Sequence, residues 1–403
     1  MTAPPLYLYD DAIARTFEPF ALTRPFGEMR AGTSLIRARW EHAFGTRAAG
    51  TVAAEHLVDF EESDAPAAAA GTIPAGAILA NTRCVMPVSW RTRDADVWTC
   101  DGRVAAVRLA KPLPVDHLAG GSEPLESLGT AGTRVEAVRG RWIGEVWELI
   151  TGLATLLAQD IDRLGPRLEL MPTDGLHVLG SGAIYLELGA TLEPLVVIDV
   201  TAGPVLVRRG ATIRSFTRLV GPCAVASGAT VLGDRVAGCS IGEGSMIRGE
   251  ISETVILGNV NKSHDGFVGH SYLGRWVNLG AGTVTSNLKN TYGSVALWTP
   301  KGVRDTGTQK LGTLFGDHVK TGIGLRVTTG SVVGAGSNVY GSVMPPSFVP
   351  PFSWGDGAAL GPYRLDKFLA TAERAMGRRN VALSERMRRQ LSAAYERGRA
   401  GAA

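Results

Sequence analysis

The densest group of polar side chains lies in residues 261–287, which read NKSHDGFVGHSYLGRWVNLGAGTVTSN. The residues in this stretch that can do chemistry are Lys262, His264, Asp265, His270, Tyr272, Asn278 and Asn287. A histidine can accept a proton from an attacking amine near neutral pH, and a lysine can hold an anionic group. Gly280-Ala281-Gly282 lets a carbonyl approach a backbone N–H, which can stabilise a developing oxyanion. The cluster therefore suits attack of an amine on a carbonyl carbon.

A six-residue hydrophobic period surrounds this cluster and indicates the element that positions it. The period recurs in two runs: Val207, Ile213, Leu219, Val225 and Val231, then Phe315, Thr321, Val327, Val333 and Val339. A helix needs a period near 3.6 and a flat strand a period of 2, so neither explains it. We predict a β-solenoid over roughly 180–345, a scaffold found mostly in transferases. Because polar groups are costly in its core, the cluster must face solvent, a groove between subunits or a ligand.

The remaining segments predict a second domain and a tail. Residues 1–165 show an α/β pattern, with a strand at Leu6–Tyr9, a helix within 32–44 and a hairpin turn at Asp101-Gly102. A helix over 145–164 follows, and Ser286–Leu311 interrupts the solenoid as a loop. We assign domains to 1–165 and 166–345, then a connector and helical tail to 346–403. The connector is extended because it is rich in proline, and the basic tail is expected to pack on the solenoid.

Composition sets broad limits on the kind of protein. A chain of 403 residues exceeds one ordinary core, so two domains are expected. The formal net charge of +3 gives no reason to expect a nucleic-acid partner. The start, MTAPPLYLYDD, lacks a basic segment followed by an apolar one, and no apolar run is long enough to span a bilayer. We therefore expect a cytoplasmic protein without a membrane partner.

The stretch GHSYLGRWVNLGAGTVTSN resembles the acetyltransferase half of the bifunctional glucosamine-1-phosphate acetyltransferase/N-acetylglucosamine-1-phosphate uridyltransferase family. That family carries a His–aromatic–Leu-Gly segment, then Asn-Ile-Gly-Ala-Gly-Thr, then an Asn followed by a loop. The resemblance implies that His270 is the general base and that the co-substrate is acetyl-CoA or another acyl-CoA. It also implies a left-handed β-helix and a homotrimer. The ligands it implies are Lys262, Tyr272 and Asn278 for the sugar phosphate, and Ala281 and Asn287 for coenzyme A.

Alternative roles for the histidines remain open. His264 precedes Asp-Gly, so it either closes a turn or replaces His270 as the base. His264, His270 and His318 together suggest an intersubunit zinc site like that of solenoid-type carbonic anhydrases. The six-residue gap between the first two does not match the tighter pair that those enzymes use, so we favour the acyltransferase interpretation.

The segment RTFEPFALTRP, residues 15–25, resembles the opening of sugar nucleotidyltransferases, in which an Arg is followed by Pro-Leu-Thr and then Pro-Lys. The resemblance places Arg15 at the phosphates of a nucleoside triphosphate, and Arg24 and Arg30 can add phosphate contacts because a guanidinium binds phosphate bidentately. The glycine-rich loop expected before Arg15 is replaced by DDAIA, and Phe26 stands where a lysine is expected. Bulky residues obstruct a nest of backbone N–H groups, so we expect weak or absent pyrophosphorylase activity.

Two acidic residues precede this segment. Asp10 and Asp11 can either ligate Mg²⁺ or close the turn at the end of the first strand. The whole region is most similar to divergent sugar nucleotidyltransferases fused to a left-handed β-helix. The predicted fold class is therefore an α/β nucleotidyltransferase-like domain plus a left-handed parallel β-helix of hexapeptide repeats, with a C-terminal helical tail.

These interpretations combine into one functional hypothesis. The chain is expected to be a transferase of nucleotide-sugar biosynthesis that moves an acyl group from acyl-CoA to an amino-sugar phosphate. Its first domain would bind, and at most weakly form, a nucleotide sugar from a sugar phosphate and a nucleoside triphosphate. Two alternatives are a nucleotidyltransferase with a purely structural solenoid and a non-enzymatic nucleotide-sugar sensor.

Overall fold

A computed structural model describes residues 4–400 of the chain and divides them into two compact units. The N-terminal unit comprises residues 4–146 together with Ser384–Arg397. The solenoid unit comprises Trp147–Leu383 together with residues 398–400. Among the described residues, no helix is both long and apolar enough to cross a membrane.

A mixed six-stranded sheet forms the centre of the N-terminal unit. In spatial order its strands are Val135–Ala137, Val97–Cys100, Arg103–Arg108, Ile78–Asn81, Leu6–Tyr9 and Ala48–Val52. Leu6–Tyr9 pairs in parallel with both of its neighbours, so loops from three adjacent strand ends meet at one edge of the sheet. The predicted hairpin is confirmed, because Val97–Cys100 pairs antiparallel with Arg103–Arg108 around Asp101 and Gly102, which both have positive φ.

Short elements complete the N-terminal unit. The helix predicted within 32–44 runs over Ile36–Phe44 and ends at Gly45, whose φ of 68° caps it. Three two-stranded ladders pair Arg30–Ala31 with Ser34–Leu35, Thr72–Ile73 with Leu113–Pro114, and Cys84–Val85 with Arg141–Trp142. The 3₁₀ helices of this unit are Ala14–Thr16, Phe26–Glu28, Glu55–Leu57, Val115–Leu118 and Leu125–Ser127.

Two helices form the C-terminal tail, and they belong to different units. Leu365–Gly377 packs in the solenoid unit, where Phe368 contacts Phe352 and His318. Residues 385–397 of the helix Glu385–Ala400 belong instead to the N-terminal unit, so the expectation that the whole tail packs on the solenoid is wrong. The reason is charge and hydrogen bonding, since Arg389 forms a bidentate pair with Asp59, and Gln390 donates to the Thr23 carbonyl at 3.0 Å.

The solenoid unit is a parallel β-solenoid of about ten turns, as the hexad period predicts. We call its three stacked sheets faces A, B and C. Face A contains His177–Leu179, Val197–Asp199, Thr217–Val220, Asp234–Ala237, Glu250–Ser252, Phe267–Gly269, Val284–Thr285 and Arg326–Val327. Face B contains Ile184–Leu186, Val205–Val207, Cys223–Val225, Ser240–Ile241, Val255–Ile256, Tyr272–Leu273, Thr313–Phe315, Ser331–Val333 and Phe348–Val349.

Face C is interrupted once but keeps its register. Its strands are Thr191–Leu192, Thr212–Ile213, Thr230–Val231, Met246–Ile247, Asn261–Lys262, Lys320–Thr321, Asn338–Tyr340, Ser353–Asp356 and Ala359–Pro362. Asn278 bridges the gap, because it pairs with Asn261 on one side and Lys320 on the other. The proline-rich segment predicted as a connector contributes strands to faces B and C, so the coils continue beyond residue 345.

The hexad residues form the solenoid core. All members of the first run are fully buried, and those of the second run are at most 6% exposed. Along face C, Ile213, Val231 and Ile247 occupy the same register position on successive coils. Lys262 occupies that position on the next coil. A lysine therefore occupies a place where the repeat calls for a branched apolar residue.

Two further elements depart from the plain coil. Ser286–Leu311 leaves the solenoid and contains an antiparallel hairpin of Ala296–Thr299 and Gly302–Asp305. The helix predicted over 145–164 appears as Glu148–Thr151 and Leu153–Leu164, divided at Gly152 and followed by a 3₁₀ turn over Gly165–Arg167. Leu153–Leu164 packs against the face B strand Cys223–Val225.

Candidate functional site

His270 lies at the corner between faces A and B. Its φ is 49°, and on the preceding coil the same corner holds Glu253 with a φ of 45°. One coil earlier the corner is Gly238, with a φ of 65°. Glycine adopts this conformation without strain, whereas other residues cost on the order of 1–3 kcal/mol each. Non-glycine residues with positive φ also occur at other corners of the solenoid, such as Asn259 and Trp276, so any role of these side chains must be judged from their contacts.

The imidazole of His270 is held on both sides by other side chains. Asn287 Nδ2 lies 2.8 Å from His270 Nδ1, and Glu253 Oε2 lies 3.2 Å from Nε2. The residue itself is 9% exposed, so its ring lies just below the surface. Gly269 permits this arrangement, because a Cβ there would lie 2.6 Å from the Asn287 amide nitrogen.

The insertion begins and ends beside this corner. Asn287 is the second residue of this insertion, Ser286–Leu311, and the Leu311 N–H donates back to the Asn287 carbonyl at 3.0 Å. The Gly312 N–H then donates to the His270 carbonyl at 2.8 Å, where the chain rejoins face B. The insertion therefore fixes Asn287 against His270 and brings the charge of Lys310 close to Glu253.

Sequence reasoning missed Glu253, although the spacing contained a signal. His270 and Asn287 are 17 residues apart, and Ser271 bonds Thr254 across the same interval of 17. One coil therefore spans 17 residues here, and counting one coil back from His270 reaches Glu253. The hydrogen bond from His270 lowers the pKa of Glu253, while partial burial opposes the shift.

The Lys262 side chain points into the solenoid and not toward the corner between faces A and B that holds His270. The residue is fully buried, and its Nζ donates to the carbonyls of His264 and Asp265, the latter at 2.9 Å. Burial lowers the pKa of this amine to about 8. In this arrangement the ammonium group stabilises the backbone of the corner between faces C and A.

The other assigned solenoid residues lie on different faces and corners. Tyr272 is fully buried on face B between Val255 and Leu314. Asn278 on face C accepts a hydrogen bond from Asn261 at 2.8 Å. Ala281 and the exposed His264 lie near the corner between faces C and A, where the Ala281 carbonyl accepts from Gly324.

Within one chain, therefore, only Asn287 among the assigned ligands reaches His270. The three histidines of the zinc alternative occupy three different corners, since His318 stacks near Trp276 at the corner between faces B and C. No group of three or more potential metal-ligating side chains occurs in residues 4–400.

In the N-terminal unit the motif arginines bind the chain itself. Arg15 donates to the carbonyls of Asp10 at 2.8 Å, Leu118 at 3.2 Å and Ala119. Arg24 is 2% exposed and forms a two-pronged pair with Glu62, at 2.8 and 3.3 Å. Arg30 is 1% exposed and donates to the Thr33 carbonyl at 2.6 Å.

The two aspartates likewise accept hydrogen bonds from the protein. Asp10 accepts from the Phe26 N–H at 2.8 Å and from the Thr82 hydroxyl at 2.6 Å. Burial raises its pKa to about 6. Asp11 caps the following turn through one oxygen, and its other oxygen accepts from Asn81 and Arg83, both within 3 Å. Each carboxylate oxygen thus accepts at least one hydrogen bond from the protein, and the assignment of Mg²⁺ to these two aspartates stays a prediction.

A cavity of about 260 Å³ opens beside Asp11. It is lined by Asp11, Asn81, Arg83, Arg103, Glu123 and Trp142, with neighbouring loop residues. The guanidinium carbons of Arg83 and Arg103 lie 4.8 and 5.6 Å from the Trp142 ring centre. The cavity thus combines an aromatic ring, an amide, two cations and three carboxylates at the carboxyl end of Leu6–Tyr9, a lining that can contact a planar, polar ligand.

Comparison with known families concerns first the N-terminal part of the chain. Residues 6–167 match the family described as "Sugar nucleotidyl transferase". This region is therefore similar to that family, and a parallel β-solenoid follows it in the chain.

The curated relatives are bifunctional proteins. One from Sulfurisphaera tokodaii, a "Bifunctional sugar-1-phosphate nucleotidylyltransferase/acetyltransferase", is 37% identical over 92 residues, which cover 23% of each chain. Bifunctional protein GlmU of Methanococcus vannielii is 35% identical over 25% of each chain. GlmU of Desulfitobacterium hafniense is 26% identical over 42% of this chain and 40% of its own. The chain spans about a quarter of the first two relatives, and it is similar to these GlmU-type proteins over that part of its length.

Proposed function

We propose that the solenoid transfers an acyl group, with acetyl-CoA as donor, to the amino group of an amino-sugar phosphate, and that His270 is the general base. The observation that carries this proposal is the side-chain environment of His270, held by Asn287 and Glu253 at a corner of the coil. A neutral imidazole can take the proton that the amine loses as it attacks the thioester. The names of the relatives supply the acetyltransferase class.

We also propose a homotrimer, because the assigned ligands do not meet within one chain. His270 lies between faces A and B, whereas Asn278 lies on face C and Ala281 beyond it. Lateral packing of solenoids brings the corner of one subunit against a face of the next, and a rotation that closes gives a ring. His270 of one subunit then meets Asn278 and Ala281 of its neighbour.

A complementation experiment tests both parts of the proposal. H270A and N278A are each expected to lower activity on hexosamine 1-phosphates and acetyl-CoA, followed by product mass. Co-expressed in equal amounts, the two variants form some interfaces that carry both intact residues, and random pairing restores about a quarter of the wild-type activity. No recovery in a co-expressed mixture, or full activity in a stable monomer by light scattering, would rule out the shared site.

A second candidate function is nucleotidyl transfer by the N-terminal unit, favoured by the family match over residues 6–167. We propose that the 260 Å³ cavity receives the nucleotide, and that Arg15, Arg24 and Arg30 do not contact it. Arg103 and Trp142 line it, so R103A is expected to weaken binding of a nucleoside triphosphate. Pyrophosphate release across nucleoside triphosphates and hexose 1-phosphates measures turnover. Binding of a nucleotide sugar without any turnover in either assay would favour the sensor alternative.

The proposed substrates place the protein in the cytoplasm, where acyl-CoA and nucleoside triphosphates are available together. Fractionation of the cells that make the protein tests this placement. Protein recovered outside the cytoplasmic fraction would contradict it.

A further inference from the structure

The helix Glu385–Ala400 contacts a segment of the N-terminal unit that lies far from it in the sequence. We call this segment, residues 53–62, the wall segment. Arg389 donates to both carboxylate oxygens of Asp59 in the wall segment, at 2.9 and 3.1 Å, across 330 residues of chain. The hydrogen bond from Arg389 also lowers the pKa of Asp59. A bidentate pair of this kind fixes the orientation of its partners as well as their distance.

The same turn of this helix also contacts the segment that carries the arginine motif, residues 15–25. The side-chain amide of Gln390 donates to the Thr23 carbonyl at 3.0 Å, and Gln390 is 5% exposed. Leu391 and Ala394, further along the helix, are buried as well. The wall segment and the motif segment therefore share one support, which comes from the end of the chain.

The wall segment depends on such distant contacts for its position. Its regular structure is a single 3₁₀ turn, Glu55–Leu57, and the N–H groups of Val58 and Phe60 donate back to carbonyls of that turn. These hydrogen bonds shape the turn, but they do not fix where it lies on the unit. Side chains from other parts of the chain do so, since Arg24 pairs with Glu62 at 2.8 Å and the tail arginine pairs with the aspartate between them.

The wall segment lines a second cavity of the N-terminal unit, of about 400 Å³. Six of its residues contribute to the lining: Ala53, Ala54, Glu55, Leu57, Val58 and Phe60. Pro25 of the motif segment lines the same cavity. The lining is mostly apolar, and its ionisable side chains are the carboxylates of Glu55 and Asp116. Such a lining suits the uncharged ring of a ligand and not its phosphate.

We propose that the helix Glu385–Ala400 is a positioning element for ligand binding by the N-terminal unit, with Arg389 and Gln390 as its positioning residues. They hold two parts of the lining of the 400 Å³ cavity in place, so the ring of a phosphorylated substrate binds to a wall that is already ordered. This inference rests on the second candidate function, nucleotidyl transfer by the N-terminal unit. Without the two contacts the wall is in its binding conformation for only part of the time, and the apparent affinity falls by that fraction.

Hydrogen exchange tests whether the helix holds the wall. In the full chain, R389A/Q390A removes both contacts, and we expect the amides of residues 53–62 to exchange about tenfold faster than in the wild type. R389K keeps a cation beside Asp59 without the planar fork, so its exchange is expected to lie between the two. The matched control is R399A, because Arg399 lies in the last turn of the same helix, beyond the residues that belong to the N-terminal unit. R399A is expected to exchange like the wild type.

Ligand affinity separates positioning from a contact that serves the fold alone. Calorimetry with nucleoside triphosphates and with hexose 1-phosphates, as separate probes, shows which substrate places its ring in this cavity. For that probe we expect about tenfold weaker affinity in R389A/Q390A and a partial recovery in R389K. Wild-type exchange of residues 53–62 in R389A/Q390A, or faster exchange with wild-type affinity for both probes, would overturn the inference. If the wild type binds neither probe, nucleotidyl transfer fails as a function, while faster exchange in R389A/Q390A and not in R399A still supports the role of the helix in holding the wall.

Discussion

The N-terminal unit and the solenoid corner use their motif residues in different ways. In the N-terminal unit, Arg15, Arg24 and Arg30 donate to carbonyls and carboxylates of the same unit, and both motif aspartates accept from it. At the solenoid corner, His270 bonds two side chains that are themselves placed by the coil. A residue in a functional motif can therefore serve the stability of the fold. Its hydrogen-bond partners indicate whether its role is structural or functional.

Burial sharpens the contrast. Arg24 is almost fully enclosed and paired with Glu62, so its charge is compensated inside the protein. Breaking such a pair leaves an uncompensated buried charge, which costs more than the pair itself contributes. His270 is expected to contribute less to stability. Its side chain lies near the surface, and glycine occupies the same corner position at Gly238.

The largest expected effect concerns His270. H270A is expected to lower acyl transfer by about 10²–10⁴-fold without unfolding the protein, as expected for loss of a general base. Steady-state kinetics with acetyl-CoA and a hexosamine 1-phosphate measure the loss, and circular dichroism checks the fold.

The control for this variant is H264A. His264 is exposed at another corner, and its carbonyl, not its side chain, meets Lys262. H264A is therefore expected to stay near wild-type activity. If H264A were the damaging change and H270A near neutral, the base would be misassigned.

The second prediction concerns stability in the N-terminal unit. R24A removes one partner of a buried pair and is expected to lower the free energy of unfolding by about 3 kcal/mol. R24A/E62Q is expected to recover part of this loss, because it removes the stranded charge. Urea unfolding followed by tryptophan fluorescence measures both variants.

R103A provides the comparison, since Arg103 lines the cavity and is exposed. It is expected to unfold like the wild type while binding nucleoside triphosphate more weakly. If R24A weakened nucleotide binding with no loss of stability, the contrast between the two regions would be broken.

The sequence predicts the parts of the fold that repeat. The hexads at Val207–Val231 mark the core because every coil needs the same inward side chain, and all are buried. The sequence could not show that Lys262 fills such a position, because that depends on register with Ile247 on the coil before. The pairing of Arg24 with Glu62 could not be predicted from the sequence either, because 38 residues separate the two along the chain. His270, Asn287 and Glu253 follow a 17-residue spacing, and this part of the site was readable once the coil length was known.

The third prediction uses the titration of Asp10. Burial raises its pKa from 3.8 to about 6, so the folded state prefers the protonated form. As pH rises from about 4 to 6 the unfolded chain ionises first, and folding loses up to about 3 kcal/mol from this group. D10N has no proton to lose, and its amide can donate to Thr82 while its oxygen accepts from Phe26. The stability of D10N relative to wild type is therefore expected to rise across this pH range.

Urea unfolding at several pH values measures this difference, and a magnesium titration adds a control. If Asp10 were a metal ligand, millimolar Mg²⁺ would stabilise the wild type above pH 6 and have no effect on D10N. We expect no such difference. A stability difference that does not vary between pH 4 and 7 would contradict the burial argument.

The smallest change in stability is expected for substitution of Lys262. This residue shares with Arg24 of the N-terminal unit the burial of a charged side chain. Like Arg24, this lysine is fully buried and donates to backbone carbonyls, although it lies in the solenoid and next to the proposed site. K262M replaces a buried cation by an apolar chain of similar length, and such replacements are often neutral or stabilising. The free energy of unfolding at pH 7 is therefore expected to change by less than about 2 kcal/mol.

Kinetics and pH together decide what Lys262 does. If its ammonium held the sugar phosphate, K262M would raise KM for the amino-sugar phosphate at least tenfold, as loss of a charged contact requires. Because Nζ is turned inward, we expect KM within twofold of wild type. Burial lowers the pKa of Lys262 to about 8, so between that value and its ordinary 10.5 the folded state loses its proton before the unfolded state does. The wild type should then gain stability relative to K262M as pH rises through this window, a trend that a solvent-facing phosphate ligand would not produce.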